Sequence, residues 1–238
     1  MNDVDAAAPT RMDRRRARTR ERILDEAERL FAGGYRTARM EELAEAADVS
    51  VGTIYTHFGN KDGLMLALVE RATRIFNVYL DEAFELDASP LERVMAVADL
   101  YAKFFLTHRE SFRFLVQGVE AEDNDNDMRQ RASDEIDRLM ARFETGISAA
   151  IDAGEADDYP AANTARFLWG AWNGVIALSM RNDSLALTDD QMIECLDVGR
   201  RLVNEGLTSP HFRDATGHSR ARLIEPPEPE RRTKSVPR

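Results

Sequence analysis

The sequence predicts an all-α protein of about nine helices, three short ones within the first sixty residues and longer ones after them. Apolar residues recur at spacings of three and four along almost the whole chain, and no two alternating segments read as a strand pair. Residues that start helices precede these segments, and glycines or prolines close most of them.

Taken in order, the first helix carries Ile23, Leu24, Ala27, Leu30 and Phe31 on one face and is stopped by Gly33-Gly34. Met40, Leu43, Ala44 and Ala47 give the second about two turns. Ser50 is a good N-cap for the third, to which Ile54, Tyr55 and Phe58 supply apolar contacts, and Gly59-Asn60 breaks it. Each has one apolar face, so the three form a small core. The connection between the second and third, about four residues, has the length of a helix-turn-helix. A fourth helix is expected from Lys61 to about Leu86, with Leu64, Leu68, Ile75, Tyr79 and Phe84 inward.

Three later starts carry the capping-box pattern, a hydroxyl followed three residues on by Glu or Gln: Ser89 with Glu92, Thr107 with Glu110, and Thr188 with Gln191. Pro90 sits at a first helical position, where its missing N–H costs nothing. A polar loop from Ala121 to Asp127 precedes a helix on Ile136, Leu139, Met140, Phe143, Ile147 and Ile151 that ends at Gly154. Pro160 opens a helix through Phe167, Leu168, Trp169, Trp172, Val175, Ile176 and Leu178, apolar on nearly every side and therefore buried on more than one. The last runs from Asp189 to about Glu205 and ends at Gly206. Residues 1–13 and the proline-rich tail 209–238 are expected to be disordered, which leaves a head of 14–60 and a body of 61–208.

The 238 residues contain 32 Lys and Arg against 43 Asp and Glu, a formal charge of -11 that taken whole opposes a partner as negative as DNA. Its distribution reverses that. Seven arginines stand between Arg11 and Arg22 against Asp13 and Glu21, whereas residues 66–208 hold 14 basic and 27 acidic side chains. The chain is an acidic body with a basic N-terminal arm. The single cysteine, Cys195, excludes a disulfide within the chain and a cysteine-based zinc site. The most apolar stretch, Phe167 to Met180, is interrupted by Asn173 and too short to span a bilayer, so a cytoplasmic protein with no membrane partner is expected.

The stretch from Val49 to Leu64 resembles the recognition-helix region of the tetracycline-repressor-like (TetR) family of bacterial transcriptional regulators, matching at Val49, Ser50, Gly52, Thr53, Ile54, Tyr55, His57, Phe58, Lys61 and Leu64. Leu30, Phe31, Gly34 and Tyr35 fit the family's preceding helix end. The resemblance implies a helix-turn-helix DNA-binding domain followed by a larger helical ligand-binding and dimerisation domain. It implies a repressor that binds a palindromic operator in double-stranded DNA as a homodimer through the last two helices and is released by a small-molecule inducer.

The residues themselves suit that role. Ser50, Val51, Gly52 and Thr53 are small or polar where a helix must approach the major groove. Tyr55, Thr56 and His57 flank them. Lys61, after Asn60, puts an ammonium beside a helix N-terminus, a favourable phosphate site. Arg14, Arg15, Arg16 and Arg18 can lie along the backbone or enter the minor groove. The family often has Thr or Ser before the second helix; Ala38 and Arg39 stand there, so the cap is lost and Arg39 is left as the phosphate contact. Residues expected to line the ligand cavity are Met95, Phe104, Phe105, Phe112, Phe114, Met140, Phe143, Trp169, Trp172 and Asn173, with one tryptophan facing the cavity and the other the core or partner. The acidic body favours a cationic, lipophilic inducer.

Two rival classes compete with this one. Glu122, Asp123, Asp125 and Asp127 suggest a calcium loop, but Met128 replaces the required glycine and Asp134 the closing glutamate. No Glu-x-x-His pair is present, and His57, His108, His211 and His218 are scattered, so neither catalysis nor a cofactor is expected. The other rival is a helical adaptor that has kept the fold without sequence-specific DNA binding.

Overall fold

The computed structural model describes residues 10–32, 37–116 and 126–224; the expected stop at Gly33-Gly34, Tyr35, and most of the Ala121–Asp127 loop with its acidic cluster lie outside them. Among the described residues there are nine α-helices: α1 (Arg11–Ala32), α2 (Met40–Ala46), α3 (Val51–Phe58), α4 (Lys61–Phe84), α5 (Pro90–Thr107), α6 (Arg109–Val116), α7 (Asn126–Asp152), α8 (Ala161–Leu178) and α9 (Asp189–Leu207). A 3-10 turn, Pro210–Phe212, follows. No described helix is long and apolar enough to cross a membrane.

The first helix starts twelve residues before its apolar face does. Thr10 and Asp13 form its cap: the Thr10 N–H donates to the Asp13 carboxylate at 3.0 Å and the Asp13 N–H donates to Thr10 Oγ1 at 3.1 Å. The arginine arm is therefore helical rather than an extended, disordered strand of chain. Arginine is a good helix former and needs no buried stripe to continue a capped helix.

The turn between α2 and α3 follows from backbone hydrogen bonding. The Asp48 N–H reaches the Glu45 carbonyl at 3.1 Å and the Val49 N–H reaches that of Ala44 at 2.9 Å, a Schellman closure with Asp48 in the left-handed region at φ 50°. Ser50 Oγ then accepts the Thr53 N–H at 3.1 Å and starts α3. Ile54 and Phe58 are buried against Ile23, Leu24, Leu43 and Ala47, so the roll of α3 on the head is fixed. Gly59 closes α3 at φ 79°, and Asn60 Oδ1 accepts the Gly63 N–H at 2.6 Å to start α4. A Cβ on Gly63 would collide with the Phe58 carbonyl oxygen, so only glycine allows this tight passage from head to body.

In the body, α4 and α7 run side by side in the same direction, tied by Arg131 to Glu70 and by Arg142 to Asp81 and Asn77. Helices α5 and α9 are antiparallel: Arg109, at the start of α6 just past the end of α5, pairs with Asp189, and Arg200 of α9, only 3% exposed, pairs with Asp99 of α5 further along. Ser89 and Thr188 build the expected capping boxes. Thr107 does not: it is the last residue of α5, and α6 begins after His108. On α4, Phe76 and Leu80 are the buried positions and Ile75, Tyr79 and Phe84 are half-buried, because α4 faces α5 and α7 one residue round from the expected stripe. Helix α9 runs through Gly206 to Leu207.

Residues 209–224 also depart from expectation. They fold back as a clasp over the end of α9: Thr208 bonds Ser219, the Asn204 amide donates to the Ala221 carbonyl, and Arg213 donates to the Glu205 and Thr208 carbonyls. The Arg222 N–H donates to the Glu92 carboxylate at 2.8 Å, tying the clasp to the start of α5. Composition alone read this segment as disordered because its order comes from polar bonds to α5 and α9 rather than from an apolar face.

Two substitutions check the head. Asp48→Gly removes the left-handed penalty and is expected to stabilise the protein by about 0.5–1 kcal/mol in urea unfolding. Gly63→Ala is expected to destabilise it by about 1–3 kcal/mol through overpacking against Phe58.

Candidate nucleic-acid interface

With Ile54 and Phe58 turned into the head, the opposite side of α3 presents Gly52 and Thr56, flanked by Thr53 and Tyr55. Gly52 and Thr56 are exposed and Tyr55 is 45% exposed, whereas Val51 is half-buried against the core. The hydroxyls on this face are occupied by the helix itself. Thr56 Oγ1 donates to the Gly52 carbonyl at 2.8 Å, and Thr53 Oγ1 lies 2.9 Å from Ser50 Oγ. A Cβ built on Gly52 would meet only Ser50 Oγ, at an ordinary 3.7 Å. The fold thus tolerates alanine there, and glycine weakens the helix with no internal reason.

The arginines divide into two sets. Arg11, Arg14 and Arg18 recur at helical spacing along one exposed side of α1, with Arg15 beside them. Arg16 and Arg20 turn towards the end of α3. Arg20 packs its guanidinium 4.5 Å from the centre of the Phe58 ring and donates to the His57 carbonyl at 3.4 Å, where a cation also complements the helix C-terminus. Sequence reading did not single out this role of Arg20. Burial, reinforced by Arg16 and Arg20, holds the His57 imidazole below its ordinary pKa, so it is neutral at pH 7. Lys61 opens α4 beside the Asn60 cap. Arg39 is exposed at the N-cap of α2 and makes no side-chain cap, in line with the loss expected there. Ser50, Val51, Gly52, Thr53, Tyr55, Thr56, His57 and Lys61 therefore lie on one continuous stretch of the head, and Arg16 and Arg20 are the residues of the arm that approach it.

The body holds a narrow apolar pocket of about 10 Å³, room for about one water molecule, lined by Phe76, Leu80, Val97, Tyr101, Leu139, Met140, Phe143, Trp169 and Trp172. Of the expected lining residues, Met140, Phe143 and both tryptophans are there, so the division of one tryptophan to the cavity and one elsewhere is corrected. Asn173 stands behind the wall and accepts the Tyr101 hydroxyl at 2.5 Å. Met95, Phe104, Phe105, Phe112 and Phe114 are core residues outside it, with Phe104 stacked on Tyr101 and Phe112 tilted against it. Phe76 and Leu80 were missed because the α4 register differs by one residue.

A three-helix head with an exposed helix-turn-helix, carried on a helical body around an apolar cavity, defines the class of helix-turn-helix proteins with an attached sensor domain. The chain belongs to the tetR family of bacterial regulatory proteins: residues 23–68 match that family, and residues 94–199 match the tetracyclin repressor-like C-terminal domain. Among curated relatives, the HTH-type transcriptional repressor KstR of Mycolicibacterium smegmatis is 34% identical over 76 residues, 32% of this chain and 37% of that protein. The chain thus spans little over a third of that relative's length. The fatty acid metabolism regulator protein of Bacillus subtilis is 22% identical over 182 residues, 74% of this chain and 93% of that protein. Among solved structures, AibR in complex with isovaleryl coenzyme A and operator DNA has the same fold, with a TM-score of 0.61 at 20% identity, covering 77% of this chain and 97% of AibR.

Because nothing inside the protein needs Gly52, Gly52→Ala is expected to raise folding stability by about 0.5–1 kcal/mol in urea unfolding, while DNA binding by the same protein falls. A loss of both, or a gain of both, would show that Gly52 serves the fold.

Proposed function

We propose that this protein is a dimeric, ligand-responsive transcriptional repressor that binds a palindromic operator through α3 and is released by a small lipophilic inducer. One observation carries the reading: on a chain of net charge -11, an exposed small-residue helix face stands directly beside a helix bearing seven arginines in its first twelve residues. The relatives' own descriptions as repressors and metabolic regulators agree with it. Arg14, Arg15, Arg16, Arg18, Arg39, Tyr55, His57 and Lys61 serve the phosphates, and Ser50, Gly52, Thr53 and Thr56 meet the bases, while Val51, packed against the core, holds the helix in place. The work is done in the cytoplasm, on DNA, and needs no catalysis.

The inducer site is the aromatic cavity. Its walls are apolar, and its one polar pair, Tyr101 and Asn173, is already satisfied internally. At about 10 Å³ it is far smaller than the roughly 300–1,000 Å³ of most ligand pockets, so entry of an inducer must move its walls. An aliphatic acyl group fits these walls and the relatives that govern fatty acid metabolism. Release then follows by population shift: the inducer favours a body conformation in which the two heads no longer match successive major-groove faces, about 34 Å apart.

Dimerisation places α8 and α9 against their copies in a partner. Phe167, 67% exposed, shares the outer face of α8 with Gly170, Ala171 and Gly174; Val198 and Leu202, 57% and 70% exposed, lie on that of α9. A Cβ on Gly170 or Gly174 would touch nothing within 4 Å, so these glycines too answer to something outside the chain. Close approach of a second helix pair supplies it.

Binding to the DNA upstream of its own gene, measured at two salt concentrations, tests the whole reading. Affinity well above that for random DNA and falling steeply with salt is expected; affinity equal to random DNA sinks it and leaves the adaptor. Lys61→Ala should weaken binding to all sequences alike and reduce the salt slope by about one. Leu202→Glu should yield a monomer by light scattering, with operator affinity lowered at least about 100-fold through loss of the paired half-site.

A further inference from the structure

Resting on the operator-binding reading, we infer that the recognition helix reads thymine methyl groups: the half-site sets thymine 5-methyls against the γ-methyls of Thr53 and Thr56. The burial of Ile54 and Phe58 fixes which side of α3 faces outward; Thr56 stands at its centre, with Gly52 on one side of it and the half-exposed Thr53 on the other. Readers of purine edges are long and bidentate: arginine or lysine on guanine, asparagine or glutamine on adenine. None of these occurs between Val51 and Phe58.

The two threonines are not free to substitute for them. The Thr56 hydroxyl donates to the Gly52 carbonyl at 2.8 Å, and the Thr53 hydroxyl is held 2.9 Å from that of Ser50, which also accepts the Thr53 N–H. With each oxygen turned to its own helix, the γ-methyl is the outward group. An apolar contact with the thymine methyl is the base signal such a group can read. A threonine methyl extends only one atom beyond Cβ, so the helix backbone must come close to the base edges. Gly52, which the fold itself does not require, permits that approach. The groups able to donate hydrogen bonds, Tyr55, His57, Lys61 and the arginines, lie around this face, where phosphates run.

The test uses the full-length protein. Duplexes are enriched from a random pool, and each thymine of the selected sequence is then replaced by deoxyuridine, which keeps base pairing and removes only the 5-methyl group. A palindrome should emerge, and deoxyuridine at one to three positions per half-site should lower affinity about fourfold each, the effect of one buried methyl-sized group. Thr56→Ser should cause a similar loss on the thymine duplex and abolish sensitivity to deoxyuridine at one of those positions. Thr56→Val, which keeps the methyl and discards the hydroxyl, should behave like the parent. A selected palindrome indifferent to deoxyuridine at every position overturns the methyl reading and leaves operator binding intact. Enrichment of no sequence overturns the regulator reading, and this one with it.

Discussion

The join between head and body depends on one guanidinium. Arg71 of α4 sits among three carboxylates of α1, 2.5 Å from Asp25, 3.7 Å from Glu28 and 3.9 Å from Glu21. Glu28 in turn accepts the buried Ser111 hydroxyl of α6 at 2.9 Å, so a single carboxylate touches both body helices that carry the head. Burial raises the Glu28 carboxyl above its ordinary pKa, and Arg71 and Ser111 pull against that rise. A half-buried ion cluster of this kind adds little net stability, because desolvation offsets most of its attraction. Removing one member is costly, however, since it strands the others. The cluster therefore acts on orientation: it allows one roll of α1 against α4 and penalises the rest.

That constraint places the cavity and the arginine helix on one lever. Phe76 and Leu80, which form part of the cavity wall, lie on α4 about one and a half and two and a half turns beyond Arg71. Anything that widens the cavity must shift α4, α5, α7 or α8, and a shift of α4 carries Arg71 with it. Helix α1 follows Arg71 through its acidic cluster, and Arg20 on α1 grips the end of α3 through Phe58 and the His57 carbonyl. Packed elements of this sort move between discrete arrangements rather than deforming smoothly. A coupling of about 1–3 kcal/mol, the usual size for such linked sites, needs no more than the partial loss of this cluster.

Much of this was legible in the sequence, and the residues show why the rest was not. Ser50, Ser89 and Thr188 were readable as caps because their partners are three residues away, and the head core was readable because Ile23, Leu43, Ile54 and Phe58 repeat at helical spacing. The arginine extension of α1 was missed because periodicity reports burial, and residues 11–22 are helical without being buried. The clasp after α9 was missed for a related reason: Arg213, Ser219 and Arg222 are ordered by partners on α5 and α9, more than a hundred residues distant in the case of Glu92. Of the pocket's lining, Met140, Phe143, Trp169 and Trp172 were among the residues read from the sequence and Phe76, Leu80, Val97, Tyr101 and Leu139 were not. A one-residue error in the register of α4 exchanges Phe76 for Ile75, and the sequence pattern admits both.

The glycines separate what the fold requires from what it leaves to others. Gly63 is fixed by the Phe58 carbonyl and Gly146 by the Phe84 ring, so both are explained within the chain. Gly52, Gly170, Gly174, Gly199 and Gly206 are not: each sits in a helix, where glycine costs about 0.5–1 kcal/mol relative to alanine, and at each an added Cβ would fit. These five sites fall on two regions, the outward side of α3 and the helix pair α8 and α9. Those are the surfaces on which the proposed function needs another molecule to come close, DNA in the first case and a second copy of the chain in the second. The same physical omission, a missing methyl, thus marks both interfaces, and it does so without reference to charge.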